Sequence, residues 1–172
     1  YYDDLLGRAV SKFIPADDLV VPYTATSLDD AEAIVHVIKI SENDLRKQQV
    51  NGFYSDIELS KPSSAGNADK VEEKERELEG TTKSGRMEAM YTLLEFHINL
   101  DLEGFEDVGE DGEPTGIKLP YVITIEEGSQ KVLSIRRNFA PNDPLKNKIQ
   151  YFVHFKFLPG LGFYGFGLIH MI

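Results

Sequence analysis

Apolar and polar side chains alternate most cleanly over residues 94–102. Leu94, Phe96, Ile98, Leu100 and Leu102 take the even positions, and Glu95, His97, Asn99 and Asp101 the odd ones. A period of two marks a strand with one face in a core and one in water. Residues 91–102 are therefore predicted as a strand with its even face buried and His97 facing outward. The runs 120–125 and 131–137 flank Glu126-Glu127-Gly128-Ser129-Gln130, which predicts a β-hairpin. After a turn at Pro141-Asn142-Asp143-Pro144, residues 150–157 alternate again. Meander order predicts that these last three strands pair antiparallel.

The first half is more mixed. Residues 3–12 have acids in the first turn and Lys12 at the end, the charge order of a short helix. In 14–23, Pro15 and Pro22 bracket Leu19-Val20-Val21, so this is an edge or connecting segment. Residues 27–32 read as a helical first turn leading into Ile34-Val35-His36-Val37-Ile38-Lys39-Ile40, a β-branched run suited to a strand. Ser41 with Asp44 is a helix start signal, and Asn51-Gly52 a left-handed stop. Residues 53–59 alternate as a strand would. The expected class is α+β: antiparallel and β-rich, with meander or hairpin strands in the C-terminal half and two or three short helices.

Residues 61–86 change character. Lys61-Pro62-Ser63-Ser64-Ala65-Gly66-Asn67 is a loop by composition, and Val71 and Leu78 are the sizeable apolar residues in the charged run that follows. They are expected to form a charged surface excursion on a single domain spanning 1–172. At 172 residues, with 41% hydrophobic and 27% charged side chains, the composition is that of an ordinary globular domain. The absence of cysteine excludes disulfides, thiolate metal sites and cysteine nucleophiles. A formal charge of −11 opposes tight, sequence-independent nucleic-acid binding, which requires lysine and arginine to displace counterions. No stretch approaches the roughly 20 apolar residues of a membrane helix, and no membrane partner is expected. The chain opens without Met and closes on Leu168-Ile169-His170-Met171-Ile172, an apolar run. It is read as a fragment of a longer chain.

Candidate chemistry is sparse. Glu95 and His97 share a strand face, a geometry able to give two ligands to zinc, but the pattern offers no third or fourth ligand. His36 sits between valines and His154 between Val153 and Phe155. Residues 103–113 concentrate acids without the register of a calcium loop. A metal-dependent hydrolytic or metal-binding domain using His97, Glu95 and the 103–113 loop is the alternative functional reading. No serine elbow, phosphate loop or H-E-x-x-H pair is present. Gly160, Gly162 and Gly165 have dinucleotide-fingerprint spacing, without the surrounding βαβ unit. Glycines there suit a sharp path that lets aromatics bury against a neighbour. Phe157, Phe163, Tyr164 and Phe166 are the candidate subunit or interdomain packing residues.

The stretch Phe152-Val153-His154-Phe155-Lys156-Phe157-Leu158-Pro159-Gly160-Leu161-Gly162-Phe163-Tyr164-Gly165-Phe166-Gly167-Leu168-Ile169-His170 resembles a signature of portal proteins, the head–tail connectors of tailed bacteriophages, in the type found in short-tailed phages and related prophages. Further matches run in order. They are Val21-Pro22-Tyr23 with Ala25-Thr26, His36 with Ser41-Glu42-Asn43, and Gly52-Phe53-Tyr54. Asp101-Leu102-Glu103-Gly104-Phe105-Glu106 follows, then Leu119-Pro120-Tyr121-Val122 with Ser134-Ile135-Arg136-Arg137-Asn138. The resemblance implies a structural subunit from the wing region, not an enzyme, with no cofactor or metal. It implies a homo-oligomeric ring, usually of twelve copies, at one capsid vertex of the virion, assembled in the bacterial host cytoplasm. Double-stranded DNA would pass without sequence-specific binding, driven by the terminase, and capsid, scaffolding and tail-adaptor proteins would be the other partners. The stem and clip would lie outside this segment.

Overall fold

The computed structural model describes residues 2–3, 8–61, 90–109, 111–156, 158–160 and 162–165. The expected excursion at 61–86, apart from Lys61, lies outside these residues. Two short strands, β1 (Tyr2–Asp3) and β2 (Arg8–Ala9), pair antiparallel. A five-stranded antiparallel sheet follows in the order β3 (Leu19–Val20), β4 (Ala33–Ser41), β5 (Met90–Leu100), β6 (Leu119–Glu126) and β7 (Val132–Arg137). Each strand of this sheet pairs with its neighbour in sequence. The class is α+β and β-rich; the helical content of the described residues is one α-helix, α1 (Glu42–Val50), and a 3-10 turn at Ala16–Asp18.

Local chemistry explains the boundaries. Ser41 ends β4 and starts α1: its hydroxyl accepts from the Asp44 N–H at 3.2 Å and donates to the Asp44 carboxylate at 2.9 Å. Gly52, at φ +73°, takes the chain out of the helix after Asn51. In the β6–β7 hairpin the Glu126 carboxylate accepts the N–H groups of Gly128 and Ser129 at 2.8 and 2.6 Å. The register slips between Thr124 and Ile125, a bulge in the ladder.

Strand register sorts the side chains onto two faces. One face holds the cross-strand pairs Ile34–His97, His36–Glu95, Ile38–Leu93 and Ile40–Tyr91. It is covered by two apolar groups. Leu45 of α1, Tyr54 and Leu59 pack with Tyr91, Leu93, Ile38, Ile40 and Leu133, while Ala25, Leu28, Ala31, Phe152 and Phe163 pack around Ile34. We call this the helix face. The other face pairs Val35 with Phe96 and Val37 with Leu94, continues through Ile123 and Ile125 of β6, and reaches Ile135 of β7. Its apolar cluster is made by the strands themselves with Leu102 and Phe139 from adjoining loops. We call this the open face.

Burial therefore reverses the expectation for β5. Leu93 is fully buried and His97 only 6% exposed, whereas Leu94, Phe96 and Ile98 are half-buried. The helix sits on the odd face, so His97 points into the core layer and not outward. Other expectations are corrected as well. The predicted helix at 3–12 is replaced, where described, by the β1–β2 pair; the sequence there places Gly7, a weak helix former, in the middle. Residues 27–32 form a turn closed by Asp30, whose carboxylate accepts the Thr26 and Ser27 N–H groups at 3.1 and 2.8 Å. Residues 53–59 make a single ladder-like bond to β7, Ser55 N–H to the Leu133 carbonyl at 2.8 Å, and no strand. Residues 151–156 alternate in burial but lie outside the sheet. Their even side chains pack onto the helix face instead of extending the meander.

Face assignment is tested by two neighbouring truncations. Leu93→Ala is expected to cost roughly 2–5 kcal/mol in a urea titration, the range for a large-to-small change in a closed core. Leu94→Ala on the half-buried face is expected to cost less than half as much. Equal costs would contradict the burial described.

Candidate functional site

The helix face carries a polar cluster between its two apolar groups. Glu95 of β5 lies directly opposite His36 of β4 and Thr124 of β6, and His97 lies two residues along on the same strand face. The Glu95 Oε1 atom meets His97 Nε2 at 3.0 Å and His36 Nδ1 at 3.8 Å. The first is a hydrogen bond and the second a longer electrostatic contact. Thr124, fully buried, receives the Ser134 hydroxyl at 3.2 Å. Burial works to raise the Glu95 pKa, but the attraction of His36 and His97 outweighs it and holds the carboxyl at about 2. The Tyr54 phenol is pushed up by burial and by the Glu95 charge.

Aromatic side chains of the C-terminal segment close over this cluster. Phe152 meets His97 edge-on with ring centroids 4.8 Å apart, and His36 at 6.0 Å. Residues 150–156 thus form a strap across the helix face. Further along, His154 stacks on Phe163 at 4.1 Å and 17° between ring planes. Burial and the nearby Lys156 charge hold His154 below the ordinary imidazole value. Lys156 Nζ donates to the Thr26 and Gly162 carbonyls at 3.2 and 2.9 Å, and the Tyr164 hydroxyl donates to the Leu19 carbonyl at 2.6 Å. Gly165 is required by close approach: a Cβ there would lie 2.5 Å from the Leu158 carbonyl oxygen. That contact gives the glycine a packing role.

Of the four packing residues named from sequence, Phe163 is buried among Ala25, Leu28, Ala31 and Ile34 of its own chain. Tyr164 is about half exposed. Phe157 and Phe166 lie outside the described residues. Glu95 and His97 do come together, and His36 joins them, a contact that only strand register reveals. The 103–113 loop is held elsewhere. The Tyr121 hydroxyl, on the open face, donates to the Phe105 carbonyl, and Asp107 bonds Thr115 and Lys146. The Lys146 and Thr115 hydrogen bonds hold the Asp107 carboxyl below its usual range.

Both imidazoles approach the same carboxylate oxygen, His97 by a hydrogen bond and His36 by the longer contact. Among the described residues, no group of three or more His, Asp or Glu side chains is arranged to hold a metal ion. No described helix is long and apolar enough to cross a membrane. A shallow cleft of about 530 Å³ opens between the α1 exit and β7, lined by Gln49, Phe53, Tyr54, Ser134 and Arg136 among others, but not by Glu95, His36 or His97. Scans against protein-family models, curated proteins and solved structures return no match for this chain.

The Glu95 cluster has a pH signature. A carboxyl held near 2 in the fold, against 4.5 ordinarily, contributes stability that is present above about pH 5 and lost as pH falls toward 2. Glu95→Gln is expected to cost on the order of 3 kcal/mol near pH 7, with the gap to the parent chain narrowing steadily between pH 5 and 2. Urea titrations at pH 7 and pH 3 check this; an unchanged gap refutes it.

Proposed function

We propose that the chain is a structural subunit of a bacteriophage portal ring, from its wing region, acting by assembly and not by catalysis. In this reading the ring sits at a capsid vertex and double-stranded DNA passes through it during packaging and ejection. The terminase, capsid or scaffolding proteins and tail adaptors are the other partners. The observation that carries the reading is the aromatic–glycine stretch 152–170, together with the shorter matches that precede it in portal order.

Two physical features support it. The described part of that stretch acts as a packing device: Phe152 on two histidines, Phe163 in an apolar cluster, and Lys156 and Tyr164 on backbone carbonyls. Such anchoring suits a role in holding surfaces in place. The charge of −11 suits a conduit that must not grip a polyanion, since like charges repel and counterion release is small.

Electron microscopy of the complete gene product tests the reading. A closed ring with a central pore is expected; a monomer at high concentration, or turnover of a substrate by the purified protein, overturns it. Phe163→Ala is expected to destabilise the chain by roughly 3–5 kcal/mol, the cost of deleting a buried aromatic, and to lower the ring fraction in sedimentation. A variant with unchanged denaturation midpoint and unchanged ring fraction counts against the anchoring role.

A further inference from the structure

Two apolar surfaces lie on opposite sides of this molecule. The first is the open sheet face, where Val35, Val37, Leu94, Phe96, Ile98, Ile125 and Ile135 are half-buried and the one described α-helix is on the other side. An antiparallel sheet that leaves one face to water ordinarily makes that face polar; this one is aliphatic and aromatic across four strands. The second surface is the outer side of the strap. Val153 and Phe155 face away from the sheet, 95% and 88% exposed, while Phe152, His154 and Lys156 are half-buried and the Tyr151 ring touches His97 edge-on at 5.8 Å.

We propose that a second copy of this chain covers the open face, its outward strap residues Val153 and Phe155 docking on Val37, Leu94 and Phe96. The inference rests on the ring-subunit reading and names the contact it would use. Different patches on opposite sides of one chain make a head-to-tail contact, the kind that closes into a ring when the rotation per copy allows.

Area and charge both favour this occupant. A standard interface needs roughly 800 Å² per partner, and Phe155 alone can bury roughly 150–250 Å² of it. The rim of the open face is acidic: the Tyr121 hydroxyl bonds the Phe105 carbonyl, placing the loop that carries Asp101, Glu103, Glu106, Asp111 and Glu113 beside it. The strap region 144–156 holds Lys146, Lys148 and Lys156 and no acid. Lys146 bonds Asp107 and Lys156 bonds carbonyls within the chain. Among the described residues this leaves Lys148 to meet the neighbour's carboxylates.

These 172 residues hold no cysteine, so peptide mapping assigns any link at positions 37 and 153 to the introduced thiols. Val37→Cys and Val153→Cys are introduced separately and together into the complete gene product. The product is oxidised, and linked peptides are mapped by mass spectrometry. Mixing the two single variants is expected to give a 37–153 link between copies, each alone to give no link between its own introduced cysteines, and the double variant to give a ladder of covalent oligomers. A 37–37 link would mean that two open faces pack on each other, and overturns the proposal. So does a 153–153 link. Absence of any 37–153 link also overturns it, since the face is then covered by other residues of the same chain or by a different partner. Rings seen by microscopy without the link sink this contact but not the ring reading. The link in particles without a central pore sinks the ring reading but not the contact.

Discussion

β4, β5 and β6 bring two apolar faces into one sheet, and the described chain lays its α-helix and its C-terminal strap on the same one. A sheet needs a partner layer wherever its face is apolar, because each half-buried Val, Leu or Phe leaves transfer free energy ungained. On the helix face that layer is present: Leu93 and Leu133 are almost completely buried beneath Leu45, Tyr54 and Leu59. On the open face, among the described residues, Phe96 and Ile125 pack with their sheet neighbours and two loop residues. This asymmetry sets the conditions for everything else the chain does. The covered face fixes the fold, and the other carries no described helix or strap.

The buried carboxylate makes the covered face specific. Glu95 would be costly to hide alone, and two imidazoles and a buried threonine surround it. These groups come from three different strands, so they meet only when β4, β5 and β6 are in register. Slipping β4 by one residue would place Val35 or Val37 opposite Glu95 and turn His36 to the other face. Phe152 then uses both imidazoles as its platform, which ties the strap to the same register. A polar cluster that is satisfied in one register alone discriminates between alternative pairings as well as stabilising the native one.

Much of the sheet was legible in the sequence, because period-two alternation and turn chemistry are local signals. The β6–β7 hairpin, the β-branched run of β4 and the Ser41–Asp44 helix start all follow from neighbours within a few residues. Choosing which face of β5 is buried required knowing where α1 packs. Alternation alone favoured the even side, since Glu95, His97 and Asn99 look solvated until His36 arrives from 59 residues upstream of Glu95 and Phe152 from 55 downstream of His97, distances that no periodicity spans. For the same reason residues 150–157 read as the last of three meander strands. Their alternation is real, but it reflects packing onto a face and not pairing at an edge. Of the cluster, the Glu95–His97 pair was visible as a same-face spacing. His36 was not, since its role depends on cross-strand register.

The strap links the two faces through its own geometry. In an extended chain, adjacent side chains point to opposite sides, so whatever fixes Phe152, His154 and Lys156 inward also fixes Val153 and Phe155 outward. The inner set has independent anchors: the Phe152–imidazole contacts, the His154–Phe163 stack and the two carbonyl bonds of Lys156. A slip of one residue would break all of them at once while burying Val153 and Phe155. Folding contacts within one copy therefore determine which apolar side chains remain for another. Association through the strap would in turn be sensitive to any change that loosens its anchors, even one far from the contact. A head-to-tail assembly benefits from that coupling, because every copy must present the same outward surface at the same height for the repeated rotation to close.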